Sequence, residues 1–387
     1  MRNSAVALAV MLLVGGCSTI GKLNPFSSDD PKRKPTELVA FTPTPAAELR
    51  SAWQSSIGGS GEYVFTPAVV GNSVYAVAQD GALARFDDGR EVWRIAVGQA
   101  VSGGVGSDGK LVVLGSPKGE VLAFDAATGK PAWKTRVSSE VLAAPTVGDG
   151  IVAVRSGDSR IFAFEVADGK RRWVYQRSTP ALSLRSNVGV VLTGHAVLAG
   201  FPGGKLVAVN TANGAALWEG TVALPKGSTE LERVVDITSA PVVEGREVCA
   251  VAYQGRVACF DTDSGNLLWS REISSSAGLD MDAKGVYVSD ENGVLQAFDR
   301  SNGASLWKQD KLLKRGLSRP LVLGSPLSSF LAVADSLGFV HLLRRDDGSF
   351  AARFPSDGSA VSADPQRIKD GLMIQTRNGG IYALTSK

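Results

Sequence analysis

The residues of this chain that could carry out chemistry are few. Its 387 residues include three cysteines and two histidines. His195 and His341 stand far apart, and neither sits at a metal-ligand spacing. No Gly-x-Ser-x-Gly, P-loop or His-Glu-x-x-His pattern occurs. Cys249 and Cys259 flank Tyr253-Gln254-Gly255 symmetrically about Gln254. Residues so placed in a hairpin face each other, with Cβ atoms about 4.5–5.5 Å apart, close to what a disulfide requires. A structural cross-strand disulfide is expected, with two free thiols as the alternative; the spacing is not that of a Cys-x-x-Cys redox catalyst. The acids Asp125, Asp261 and Asp299 recur at one place ahead of a glycine. Recurrence in that position argues for turn capping rather than for a single catalytic carboxylate.

The elements that must position these residues are repeats. Gly119–Trp133, GEVLAFDAATGKPAW, returns at 159–173, 204–218, 255–269 and 293–307. A shorter copy stands at 81–93, and a degenerate one at 338–352 has Ala352 where tryptophan is expected. Trp93, Trp133, Trp173, Trp218, Trp269 and Trp307 each follow a glycine by four residues, at intervals of 38 to 51. A period near 40 is the mark of stacked supersecondary units. Alternation such as Val121, Ala123 and Asp125 against Leu122 and Phe124 predicts a strand, a tight turn at the glycine, and a second strand opened by the tryptophan. A third run lies upstream, and a fourth begins near Pro67, Pro145, Pro241 or Pro320. Four short antiparallel strands per unit predict an all-β propeller blade. No Trp-Asp ends a strand, which disfavours the WD40 variant.

The chain ends complement each other. GGIYAL at 379–384 has no tryptophan after it, whereas Trp53 has no repeat strand before it. Pairing of the N- and C-terminal strands would complete an eighth blade and remove an exposed sheet edge. The expected fold is therefore an eight-bladed β-propeller over 48–387, with a solenoid of hairpins as the alternative. The seven tryptophans, Trp53 included, are expected to pack between blades.

Residues 1–16 read as a signal segment: Arg2 is followed by an apolar run over 5–14, about half the length needed to span a bilayer. Val14-Gly15-Gly16 directly before Cys17 resembles the lipobox of bacterial lipoproteins, which implies cleavage before Cys17 and its acylation. Multiple acyl chains anchor firmly where one binds marginally. Ser18, with no aspartate there, favours by the same resemblance the outer membrane, with the domain facing the periplasm. Residues 17–47, rich in Pro, Ser, Lys and Asp, read as the lipidated cysteine and a flexible tether. The formal charge of +3 offers no basic face for nucleic acid.

Two inter-blade links stand out. One holds RSTPALSLRSNVG at 177–189; the next, between Trp218 and Pro241, is unusually long and holds LERVVDITS at 231–239. They occupy equivalent places in successive blades and so should neighbour each other on one face. Leu182, Leu184 and Arg185, with Glu230, Glu232 and Asp236 nearby, suggest a protein-binding patch. The alternative is leucines folded under their own loop.

The repeat A-h-D-x-x-x-G-x-x-x-W resembles the PQQ-like propeller repeat of quinoprotein alcohol dehydrogenases and of the BamB family of outer-membrane assembly lipoproteins. Lipobox, tether and a lone ring together resemble the BamB family over the whole chain. Leu182-Ser183-Leu184-Arg185 matches that family's LSLR motif, and Asp236 matches an acid of its next link. The resemblance implies that these residues dock on the POTRA domains of BamA, within the barrel-assembly (BAM) complex. Where the family often has a second acid, this chain has Thr238. The resemblance also implies a scaffold without cofactor that assists outer membrane protein folding, with unfolded barrel proteins as further candidate partners. A quinoprotein dehydrogenase-like enzyme and a scaffold of another envelope complex are the alternatives. Adjacent paired cysteines, common over the cofactor of such enzymes, do not occur.

Overall fold

The computed structural model describes residues 34–44 and 47–386. The signal segment and Cys17 lie outside the described residues. Thirty-two strands form eight four-stranded antiparallel sheets among the described residues. Blades 1 to 7 span 68–96, 103–136, 146–175, 191–221, 242–272, 278–309 and 321–355. Blade 8 takes three strands from 366–386 and its fourth, Leu49–Ser56, from the N-terminal side. The ring thus closes by strand pairing, with Trp53 opposite Ala383. First strands of neighbouring blades touch one another around the centre, and the tryptophan-bearing fourth strands form the rim.

The predicted strands form, and burial shows how they pack. The second and third strands do not alternate between core and solvent. Leu111–Gly115, Ile151–Arg155 and Gly371–Gln375 are buried throughout, and so is most of Glu120–Asp125. Each blade is covered on both faces by its neighbours, so both faces must be apolar. Alternation survives at the rim, where Pro131–Arg136 and Leu49–Ser56 show it.

Each tryptophan joins its blade to the next. The indole Nε1–H of Trp133 donates to the Val166 carbonyl at 2.9 Å, that of Trp173 to Thr211 at 2.8 Å, and that of Trp218 to Thr262 at 2.8 Å. Trp93, Trp269 and Trp307 do the same to Ala126, Arg300 and Arg345. The ring lies on the turn glycine of the following blade. A Cβ at Gly169, whose φ is +69°, would fall 2.5 Å from Trp133. Trp53 covers Gly89 likewise, which joins blade 8 to blade 1. Across the strand pair each indole meets a small residue in most blades: Ala123, Ala163, Ala208, Cys259 and Ala297.

Blade 7 departs from this pattern for a structural reason. Blade 8 is joined from both chain ends and offers no glycine turn to receive an indole. Ala352 stands at the vacated place, opposite the large Leu342. Ala47 and Leu49 share the core cluster with both.

The expectation of a flexible tether up to 47 needs correction. Residues 36–44 lie along blade 7. Thr36 donates its N–H to Leu313, Thr44 donates its N–H to Ala351 at 2.8 Å, and Phe41 packs on Phe350. Arg353 and Arg315 donate to the Val39 and Thr36 carbonyls. Beneath this segment lies a buried charged cluster. Arg315 Nε donates to Asp335 at 2.6 Å, His341 Nε2 lies 3.0 Å from the same carboxylate, and Arg353 Nε donates to His341 Nδ1 at 3.2 Å.

Candidate partner-binding site

The chemistry-bearing residues resolve into structural roles. Asp125, Asp261 and Asp299 each accept hydrogen bonds from the backbone and hydroxyl of a Thr or Ser just ahead in the turn. Those bonds hold their carboxyls below the usual range. Cys249 and Cys259 are direct cross-strand partners, joined by a disulfide with Cα atoms 4.1 Å apart and both side chains buried. His195 is exposed in a turn, while His341 belongs to the buried cluster of blade 7. Among the described residues no three His, Cys, Asp or Glu side chains converge on a possible metal position.

The two singled-out links do meet. The 3-to-4 link (176–190) lies beside the 4-to-5 link (222–241), because both join a rim strand to the central strand of the next blade on the same face. Leu182 and Leu184 are 41% and 39% exposed, which excludes the reading that they fold under their own loop. Arg185 presents its guanidinium beside them, with 53% of the side chain exposed.

Asp236 behaves differently from the sequence expectation of a surface acid. It is 2% exposed. One carboxylate oxygen accepts the Leu184 N–H at 2.6 Å; the other accepts the Gly203 N–H at 3.1 Å. Its backbone carbonyl accepts the Tyr253 N–H. Behind it lies Arg155, which donates to the Gly200 carbonyl and lies over the Phe201 ring. Burial pulls the Arg155 pKa down to about 10, with Asp236 opposing the shift. Asp236 therefore holds the loop from beneath and cannot itself face a partner.

A second acid of the patch is also engaged. Glu232 caps its own link by accepting the Ser228 and Thr229 N–H groups. Thr238, in place of a second acid, is nearly buried and donates to the Ser276 carbonyl. The structure adds residues that sequence reasoning missed. Glu140, from the 2-to-3 link, accepts Arg185 Nε and Nη2 at 2.9 Å each. Glu62 and Tyr63, from the 8-to-1 link, lie within electrostatic reach of Arg185. Their only sequence signal is position, since each stands in a link on the same face as 177–189.

A sequence-family model described as outer membrane protein assembly factor BamB matches residues 80–309. The outer membrane protein assembly factor BamB of Bordetella pertussis is 43% identical, covering 98% of this chain and 98% of its own length. The chain belongs to the BamB family. The BamB proteins of Pseudomonas aeruginosa and Escherichia coli are 41% and 34% identical, each over 98% of this chain. The crystal structure of BamB from Moraxella catarrhalis superposes with a TM-score of 0.80 at 28% identity, covering 87% of this chain and 99% of that one. A quinohemoprotein alcohol dehydrogenase from Comamonas testosteroni shares the ring at a TM-score of 0.69 but only 13% identity, covering 88% of this chain and 77% of the enzyme. That likeness is one of fold alone. BamB proteins are named as assembly factors, and their similarity spans nearly all of this chain.

Proposed function

We propose that this protein is a non-catalytic scaffold of the outer-membrane β-barrel assembly complex. It is held at the periplasmic side of the outer membrane by acylated Cys17. It docks on the POTRA domains of BamA through Leu182, Leu184 and Arg185. The observation that carries the reading is two exposed leucines and an arginine on one loop whose backbone is pinned by a buried acid. An apolar anchor beside a planar cation, held in place in advance, is what a protein-binding hot spot requires. Asp236 is a positioning residue, and its burial explains how it can matter without touching a partner. Residues 1–16 are the signal segment, 17 to about 35 the tether, and the remainder the clasped ring.

The test is recovery of BamA from detergent-solubilised membranes by this protein and by a Leu182→Ala, Leu184→Ala, Arg185→Ala variant. Hot-spot truncations cost about 2 kcal/mol or more each, so a folded variant should lose nearly all recovery. Equal recovery by both forms moves the site elsewhere. Absence of BamA from the unmodified sample favours a scaffold for another envelope complex.

A further inference from the structure

The Arg185 side chain is not waiting loose in solvent. Its Nε and Nη2 both reach the Glu140 carboxylate at 2.9 Å, a planar two-point pairing. Glu140 is itself fixed. Its backbone carbonyl accepts the Gly157 N–H at 2.7 Å, and its side chain lies on that turn, since a Cβ at Gly157 would come 2.8 Å from Glu140 Cγ. The next residue, Val141, is buried, and its carbonyl accepts the Ser102 hydroxyl. The 2-to-3 link therefore presents Glu140 from a rigid base. On the opposite side of the loop, Asp236 from the 4-to-5 link takes the Leu184 N–H. Two carboxylates from flanking links thus grip consecutive residues of one loop, one by its backbone and one by its side chain.

We propose that Glu140 is a positioning residue of the docking loop, holding Arg185 and the backbone around it in the binding conformation before a partner arrives. The proposal rests on the docking role given above to Leu182, Leu184 and Arg185. Arginine is rich in rotamers, and restraining it in the free protein removes an ordering cost otherwise met on association. Just over half of the side chain stays exposed, so the restrained guanidinium still has a face for the partner. Glu140 carries no partner contact of its own in this scheme. Its carboxyl is held below the usual range, chiefly by the Arg185 hydrogen bonds.

Two readouts on the full soluble ring test this: amide exchange over 182–186 in the free protein, and affinity for the purified BamA POTRA domains. Glu140→Gln should speed exchange in the loop and weaken binding about 3- to 10-fold, the scale of one side chain that must now be ordered on binding. Its thermal midpoint should stay near that of the unmodified ring. A charge swap, Glu140→Arg with Arg185→Glu, should restore slow exchange but leave binding lost, because the guanidinium has moved off the loop. Unchanged exchange in Glu140→Gln would show that Glu140 holds nothing. Tighter binding by Glu140→Gln would make Glu140 a competitor for Arg185 and overturn the proposal. If the unmodified ring fails to bind POTRA domains, the docking reading falls and takes the binding role of Glu140 with it; the exchange result then reports only the local contact.

Discussion

At the scale of single residues, the groups that look reactive in the sequence are engaged in internal contacts. His341 is the clearest case. Arg353 donates to its Nδ1, so the ring proton must sit on Nε2 and point at Asp335. Burial is the main cause that pushes the His341 pKa below its usual value, with Arg353 and Arg315 adding and Asp335 opposing. Burial also works to raise the Asp335 carboxyl. The bonds from His341, Phe339 and Arg315 outweigh it, and the net shift is downward. A histidine whose folded pKa lies below its unfolded value of about 6.5 contributes its stability in full above that pH. The contribution falls as pH drops from there toward the depressed folded value, because the unfolded chain takes up the proton first. Urea midpoints at pH 7.5 and 5.5 should therefore fall further for the unmodified protein than for His341→Gln, which has no imidazole to protonate. Equal losses in the two proteins would remove His341 from the account.

At the scale of the blade, one pattern recurs: an indole from a rim strand lies on a glycine turn of the next blade and, except at Trp93, which faces Arg85, meets a small residue across its own sheet. Blade 7 breaks both halves together. Leu342 replaces the small partner, Ala352 replaces the indole, and Ala47 and Leu49 take the space. Ala352→Trp, which restores the repeat consensus, should therefore destabilise the ring by about 1–3 kcal/mol through overpacking. Adding Leu342→Ala should recover part of that loss, and chemical denaturation of the two variants would measure both. A neutral or stabilising Ala352→Trp would mean the space is not filled as described. The same segment shows how far tether-like composition misleads. Within it, residues 36–44 carry an apolar run, Leu38-Val39-Ala40-Phe41, and dock through Phe41 and through backbone carbonyls that accept from Arg315 and Arg353.

At the scale of the whole molecule, the ring is only as closed as its joined blade. Leu49–Ser56 supplies the outer strand of blade 8, and its Trp53 lies on Gly89 of blade 1. Trp53→Ala should cost about 3–5 kcal/mol, near the range for deleting a packed tryptophan. Removal of residues up to 56 should do more than lower stability. It bares the edge of Gly380–Ser386 and should promote self-association, visible by light scattering at temperatures where the intact ring stays monodisperse. A truncated protein that remains monodisperse and as stable would show that blade 8 closes without its N-terminal strand.

The sequence by itself determined the blade count, the closure and the disulfide register, because each rests on covalent periodicity. A glycine four residues before a tryptophan, repeated, leaves little freedom in strand pairing, and residues equidistant from a hairpin turn must face one another. It also marked Leu182, Leu184 and Arg185, since apolar residues in a link have no strand to bury them. Only the tertiary structure decided which acids serve that loop. Asp236 looked like a surface contact and is buried beneath Leu184, while Glu140 stood unremarked 45 residues before Arg185 and grips it. The reason is physical. Contacts within a blade follow from spacing along one chain segment. Contacts between links depend on how neighbouring blades bring their ends together on one face, and that placement is set by packing around the ring rather than by local pattern.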